Sequence, residues 1–413
     1  MTNVQSPHIH RRTQLGMTLV ELMVALVLGL LTTLIVAQVM INAEGQRRTT
    51  TNTTDAQING ASALYLLGRD LQAAGYGLIS KSTVRGCPVR WANGNTAVSN
   101  LALTPVSIST DANGNSVIRT LSSGNGDFAV PVAVSDGRLP DVLASSGFQV
   151  QSNLGIQSGD LLLATPPTWD ASNWCLIFPA GTITTATGIP ISGISEAAVS
   201  DEQKAEFGGF GPEVFPSGGY ALESTVINLG ATPDLREYRV DSNTLQVRRL
   251  LDTGAWGDWQ TLTPGVVRLV ALYGMDTSVP ADGRVDAYTD TTPSTADNWS
   301  RLLTVRIAVV TRSAQFERPQ TTTEGGVTTT TRVTNSSPTW RVGHQAVPVQ
   351  GAAACSSTTN AEGETENSEQ QCISLTIAGT PADGTPPEQD WRNYRYKTYD
   401  TVVPLRNQVW SPQ

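Results

Sequence analysis

The 413-residue chain is predicted to be an α+β protein, with a long N-terminal helix, transmembrane and then amphipathic, followed by a large β-rich globular head. Three observations predict it. An unbroken apolar run covers residues 17–41. Apolar residues then recur every three or four positions up to a Gly-Tyr-Gly stop at 75–77. Beyond that stop, short apolar and β-branched runs alternate with Gly, Pro, Asn and Asp clusters, which is the pattern of strands and turns.

The first element is a leader, residues 1–16. It carries Arg11 and Arg12, has no acid and ends in Gly16. Its charge keeps the N-terminus cytoplasmic and sends the bulk of the chain across the membrane. As a helix the run 17–41 would be roughly 37 Å long at about 1.5 Å per residue, enough to cover a hydrocarbon core of about 30 Å. A secretory signal would have a shorter apolar region and a small-residue cleavage site beyond it. Glu21 is the one charge in the run. An ionisable group inside an apolar span costs a few kcal/mol and marks a functional position.

Residues 42–77 continue the helix towards the head. Glu44 and Arg48 have i,i+4 spacing, and the Thr-rich stretch 42–55 is expected to loosen the helix. Ile58, Ala61, Leu64, Leu67, Leu71 and Ala74 then form an amphipathic stripe expected to face the head. The head, 78–413, has candidate strands at 115–121, 127–134, 159–164, 173–179, 220–229, 235–241, 244–251, 257–262, 266–274 and 302–313. In the last, Val305, Ile307 and Val309 alternate with Arg306 and Ala308, predicting one wetter face. Residues 320–338 and 356–370 are polar, lack an apolar period and read as loop insertions.

The net charge of −9, more acidic once Arg11 and Arg12 are lost, argues against broad electrostatic binding to DNA or anionic lipid. No direct nucleic-acid partner is expected. Four cysteines suit disulfides in an oxidising compartment. Cys355 and Cys372 bracket a polar acidic loop and are expected to pair, which leaves Cys87 with Cys175. Three pairings are possible from sequence alone, and four reduced thiols are the alternative.

Enzymatic chemistry finds little support, and neither a catalytic residue nor a cofactor is expected. His344 is the one histidine beyond the leader, too few for a multi-histidine metal site. Leu250-Leu251-Asp252-Thr253-Gly254-Ala255 resembles the active-site loop of retroviral-type aspartic proteases, which need two such aspartates sharing a proton. No second copy exists, and the similar partner string, Leu66-Leu67-Gly68-Arg69-Asp70, lies on the helix. Asp252-Thr253-Gly254 therefore reads as a turn. Asp276, Asp282 and Asp286 are weak Ca²⁺ candidates, since Ca²⁺ takes carboxylate and carbonyl oxygens. Their spacing departs from an EF-hand and Pro280 interrupts it, so a solvated acidic hairpin is preferred. Gly208-Gly209-Phe210-Gly211-Pro212 lacks the Lys-Ser/Thr pair of a phosphate loop and reads as a turn. Trp256 and Trp259 read as core packing, with an adhesive surface as the alternative.

The leader charge, Gly16, Glu21 and the apolar run together resemble type IV prepilins. The resemblance implies cleavage between Gly16 and Met17 by a prepilin peptidase, N-methylation of Met17, and pairing of Glu21 with a neighbour's N-terminal amine during assembly. Met17 stands where the family usually has phenylalanine, an apolar exchange the peptidase tolerates. Three further stretches resemble the PilW-type minor pilins: Arg69-Asp70-Leu71-Gln72-Ala73-Ala74-Gly75-Tyr76-Gly77, followed after a longer gap by Cys87; Leu272-Tyr273-Gly274-Met275-Asp276 with Asp282-Gly283; and Thr401-Val402-Val403-Pro404-Leu405-Arg406-Asn407. This second resemblance spans the chain. It implies a minor pilin that helps initiate pilus assembly and sits in a tip complex, supporting twitching motility, adhesion or DNA uptake. The implied partners are other minor pilins, the major pilin, the inner-membrane assembly platform and a tip adhesin. The implied location is the inner membrane with a periplasmic head, then the pilus tip. The rival readings are a type II secretion pseudopilin, which the C-terminal signature disfavours, and a tip adhesin or receptor.

Overall fold

The computed structural model describes residues 18–78, 81–93, 96–97, 101–125, 130–135, 147–192, 216, 219–251, 255–344, 347–355, 370–377, 381–382 and 385–409. Arg11, Arg12, Gly16, Met17, the 208–212 run, Asp252-Thr253-Gly254, residues 356–369 and part of the expected strand 127–134 lie outside them, as do the side chains of Arg48 and His344.

One α-helix runs from Leu19 to Ala73, and the boundary between two compact units falls within it, at Thr54/Asp55. In the first unit, Leu19–Ile41 is long and apolar enough to cross a membrane, with mean hydropathy 2.6 and none of it buried. The threonines expected to loosen the helix are accommodated instead. The Thr54 hydroxyl donates to the Thr50 carbonyl at 3.0 Å, and Thr32 does the same to Leu28 at 2.9 Å. A hydroxyl that bonds back to the preceding turn can stay inside a helix.

The second unit is the head. Its helical stretch packs on two sheets around one core. The five-stranded sheet runs Gln260–Pro264, Thr244–Arg249, Asp234–Asp241, Ser116–Ser122, Val106–Thr110, and the four-stranded sheet Ala287–Thr289, Val266–Met275, Leu302–Arg312, Tyr396–Pro404, all antiparallel. Ala63, Leu67, Leu71 and Ala74 meet Ile118 and Tyr238 of one sheet and Leu269, Val305, Ile307 and Val403 of the other.

The helix face differs from the expected stripe at its start. Ile58 is 61% exposed and Ala61 is exposed, whereas Ala56 and Gly60 are buried. The sheet decides this, because the Tyr399 ring lies where a side chain on Gly60 would go: an added Cβ would sit 2.3 Å from Tyr399 Cδ2. Only glycine allows that approach.

The wetter face expected of Leu302–Arg312 is covered as well. A three-stranded sheet of Thr339–His344, Gln370–Ser374 and Ala353–Ala354 buries Ala308 and Val310 against Trp340 and Val342. Arg306 is tolerated there because its guanidinium donates to the Val342 carbonyl at 2.8 Å and to Asp400 at 2.9 Å.

Seven strands drawn from the stretch 88–228, apart from the two that join the five-stranded sheet and the short pair Phe148–Gln149 and Gly188–Ile189, make a separate sheet with a core on each face. Its strand Pro88–Asn93 pairs in parallel with Cys175–Pro179, and the Cys87–Cys175 disulfide fastens that junction. The second disulfide joins Cys355 to Cys372. The 320–338 segment, read as a loop, contains a hairpin of Gln320–Glu324 and Val327–Thr331. Thr321–Thr331 is exposed throughout, so the hairpin buries no apolar residue that a period could reveal.

Candidate functional site

The N-terminal candidate is Glu21. Its backbone N–H donates to Thr18 Oγ1 at 3.3 Å, while its carboxylate Oε2 accepts from the Thr18 N–H and hydroxyl, each at 3.3 Å. This is a capping box, in which two otherwise orphaned donors at a helix start are satisfied reciprocally. The Thr-x-x-Glu spacing of residues 18–21 signals it. Glu21 is thereby held at the head of a wholly exposed apolar helix, which explains how one carboxylate is kept there. Gly16 and Met17 are outside the described residues.

The second candidate is the clamp on the helix C-terminus, where two of the signature stretches meet. Asp70 accepts from the Tyr238 hydroxyl at 2.6 Å, from Arg236 Nη1 at 2.8 Å and from Arg69 Nε at 2.9 Å. Burial pushes the Asp70 carboxyl up. The hydrogen bonds from Tyr238 and Arg69 and the positive charge of Arg236 outweigh it and hold the carboxyl below the usual value. Burial raises the Tyr238 phenol, and the bond to Asp70 raises it further. Arg236 also grips Asp234 at 2.7 and 3.0 Å.

Gly75 ends the helix at φ +81°, and an added Cβ would lie 2.8 Å from the Pro105 ring. The Gly75 N–H donates to the Leu121 carbonyl of the five-stranded sheet at 2.8 Å. From the other end of the chain, the Asn407 side-chain amide donates to the carbonyls of Ala74 at 2.9 Å and Ala73 at 3.2 Å. Orphaned C-terminal carbonyls of a helix need such partners. The signature around Tyr273 also joins separate elements. The Tyr273 hydroxyl accepts from the Ile108 N–H at 2.6 Å and so links the two sheets. Sequence reasoning missed Arg236 and Tyr238, because nothing local marks a residue in mid-strand as the partner of a helix aspartate.

Asp276, Asp282 and Asp286 do converge, their ligand oxygens lying within 4.8 Å of one another. The buried Asp276 accepts from the N–H groups of Ser278, Asp282 and Gly283 at 2.7–3.0 Å. Asp286 accepts from Thr277 N–H and the Ser278 hydroxyl at 2.8 and 2.9 Å, bonds that hold its carboxyl below the usual value. The cluster is thus a set of turn-holding carboxylates. Trp256 and Trp259 are half-buried and stack on arginines over the outer face of the five-stranded sheet. Trp259 lies 3.9 Å from Arg239 and 4.5 Å from Arg248, and Trp256 lies 4.5 Å from Arg248. The buried Glu237 bridges Arg119 and Arg248 beneath them.

Two family models match the chain. The prokaryotic N-terminal methylation motif covers residues 11–37. The type IV pilus-assembly protein W model, PilW, covers residues 230–407, from the last strands of the five-stranded sheet to the Asn407 clamp. Together the two matches support a type IV pilus minor pilin of the PilW type. No curated protein and no solved structure matches it. The PilW match takes in Arg236, Tyr238, Tyr273, Asp276 and Asn407, so the clamp is built from PilW residues closing on the helix. The seven-stranded sheet lies outside the match. A pilin of this family is a pilus-assembly component with a membrane-anchoring helix and a globular head, and both matches point to a structural rather than an enzymatic protein.

Proposed function

We propose that this PilW-type pilin helps initiate type IV pilus assembly and forms part of the tip complex with other minor pilins, supporting twitching motility, adhesion or DNA uptake. In this reading a prepilin peptidase cuts between Gly16 and Met17 and the new N-terminus is methylated. The chain waits in the inner membrane with its head in the periplasm, and the assembly platform then extracts it. Glu21 pairs with a neighbour's N-terminal amine, for which it must give up part of its bonding to Thr18. Helix packing supplies most of the cohesion. The signals divide naturally: Gly16 and Met17 serve processing, Glu21 serves register, and the two disulfides brace the exported head.

The observation that carries the reading is the occurrence in one chain of a prepilin motif at residues 11–37 and a PilW match at residues 230–407. Mass spectrometry of the mature N-terminus, from cells with an active prepilin peptidase, tests it. A chain that begins at methylated Met17 and is present in sheared pili supports the proposal. An intact Met1, or a start near Glu44, overturns it.

A further inference from the structure

The helix within the head has a second apolar face. Ile58 is 61% and Tyr65 70% exposed, and Ala61 between them is also exposed. The spacing i, i+3, i+7 puts all three on one stripe, while Gly60, Ala63 and Leu67 hold the opposite side against the sheets. Beside Ile58 opens a cavity of about 510 Å³, with Asp55 on the helix, Asn243 on a hairpin turn, Gly265 where the chain passes from one sheet to the other, and Arg312 at the end of its strand. The Asp55 carboxylate has no hydrogen-bond or ion-pair partner among the described residues. The Arg312 guanidinium lies over the Tyr394 ring, 4.3 Å away, with Tyr396 also near it, and makes no ion pair among the described residues. The cavity therefore presents a charge of each sign, neither in an ion pair among the described residues, next to an exposed isoleucine.

We propose that this stripe and cavity are the seat for a peptide segment from the head of a neighbouring, different pilin. An apolar side chain of that segment packs beside Ile58, an acidic group meets Arg312 and a basic group meets Asp55. The charges select the occupant. A polyanion would be repelled by Asp55 and a polycation by Arg312, while a purely apolar surface would leave both charges dry and unpaired at high cost. A short segment with both signs flanking an apolar side chain satisfies all three groups. The inference rests on the proposed incorporation of this chain among other pilins.

The test uses the full-length chain in piliated cells. A photo-crosslinking residue, p-benzoylphenylalanine, replaces Ile58 or Tyr65 singly, and replaces the equally exposed Leu154 of the seven-stranded region (75% exposed) as a control. Adducts are identified by mass spectrometry. The expected result is an adduct of the Ile58 and Tyr65 positions with another pilin and none from Leu154. Charge reversal by Arg312→Glu or Asp55→Lys should reduce that adduct at least about tenfold, since like charges facing each other at an interface are strongly disfavoured. Both disulfides and the melting temperature, followed in parallel, show that the variants fold. A chain processed to Met17 and present in sheared pili, yet giving no pilin adduct at 58 or 65, overturns the inference and leaves the pilin reading standing. Adducts only with lipid or with a second copy overturn it in the same way. An unprocessed chain overturns both.

Discussion

Replacing Asp70 with alanine should loosen the head at the point where helix and sheet are joined. The Asp70 side chain is only 12% exposed and accepts three hydrogen bonds, from Tyr238, Arg236 and Arg69. Hydrogen bonds to a charged group contribute roughly 1.5–3 kcal/mol each, but not additively. Arg236 keeps Asp234 as a partner, and Arg69 is largely exposed, so the main cost is the buried Tyr238 hydroxyl left without its acceptor. The expected loss is roughly 3 kcal/mol, which for a domain of this size lowers Tm by about 6 °C at roughly 2 °C per kcal/mol. Urea unfolding of the head from Asp55 onward reads it directly. Asp70→Asn, which keeps an acceptor and loses the charge, should cost less than half as much. The pH dependence has a definite sign. The folded carboxyl titrates below its ordinary value, so its contribution is complete above the unfolded carboxylate range, about pH 4, and is lost as pH falls through the lower folded value. The stability gap between wild type and Asp70→Asn should therefore close below about pH 4. A loss under about 0.5 kcal/mol for Asp70→Ala, or a gap that persists undiminished to about pH 3, would refute the clamp as an energetic unit. So would an Asp70/Tyr238 double-mutant cycle with no coupling.

Other outcomes follow from single contacts. Gly60→Ala should destabilise the head by about 1–3 kcal/mol through overpacking against Tyr399, despite the better helix propensity of alanine; restoration of Tm by a second change, Tyr399→Leu, would identify the ring as the cause. Asn407→Ala should cost about 1 kcal/mol and speed hydrogen exchange around Gly75 and Leu78, whose turn lies under that cap, while exchange in the seven-stranded sheet stays unchanged. Cys87 and Cys175 are fully buried and Cys355 is partly exposed. Mild reductant should therefore open Cys355–Cys372 in the native head and leave Cys87–Cys175 until unfolding, as alkylation mapping would show. Replacing both Cys87 and Cys175 by serine should cost roughly 4–5 kcal/mol on the loop-entropy model, because the bridge closes 88 residues of chain.

Properties that depend on neighbours in sequence were legible without the structure. The membrane-length helix needs only an unbroken apolar composition, so residues 17–41 and the isolated charge of Glu21 stood out. Helix arrest at Gly75 and the long strands around 235–241, 266–274 and 302–313 were legible for the same reason: turn chemistry and two-residue alternation are local. The Thr-x-x-Glu capping box was also present in the letters, at residues 18–21. The tertiary structure alone decided which helix face is buried. The three- and four-residue recurrence from Ile58 to Ala74 fits two apolar faces, and the Tyr399 ring lying on Gly60 selects one and leaves Ile58 outside. It alone decided that the alternating strand 302–312 is covered on both sides, because the cover comes from residues 339–344 and 370–374. It alone paired Pro88–Asn93 in parallel with Cys175–Pro179 and brought Asn407 onto Ala73 and Ala74. A single sequence carries composition and period but not the distances between segments far apart along the chain, and those distances set this protein's burial, its clamp and its unpaired cavity charges.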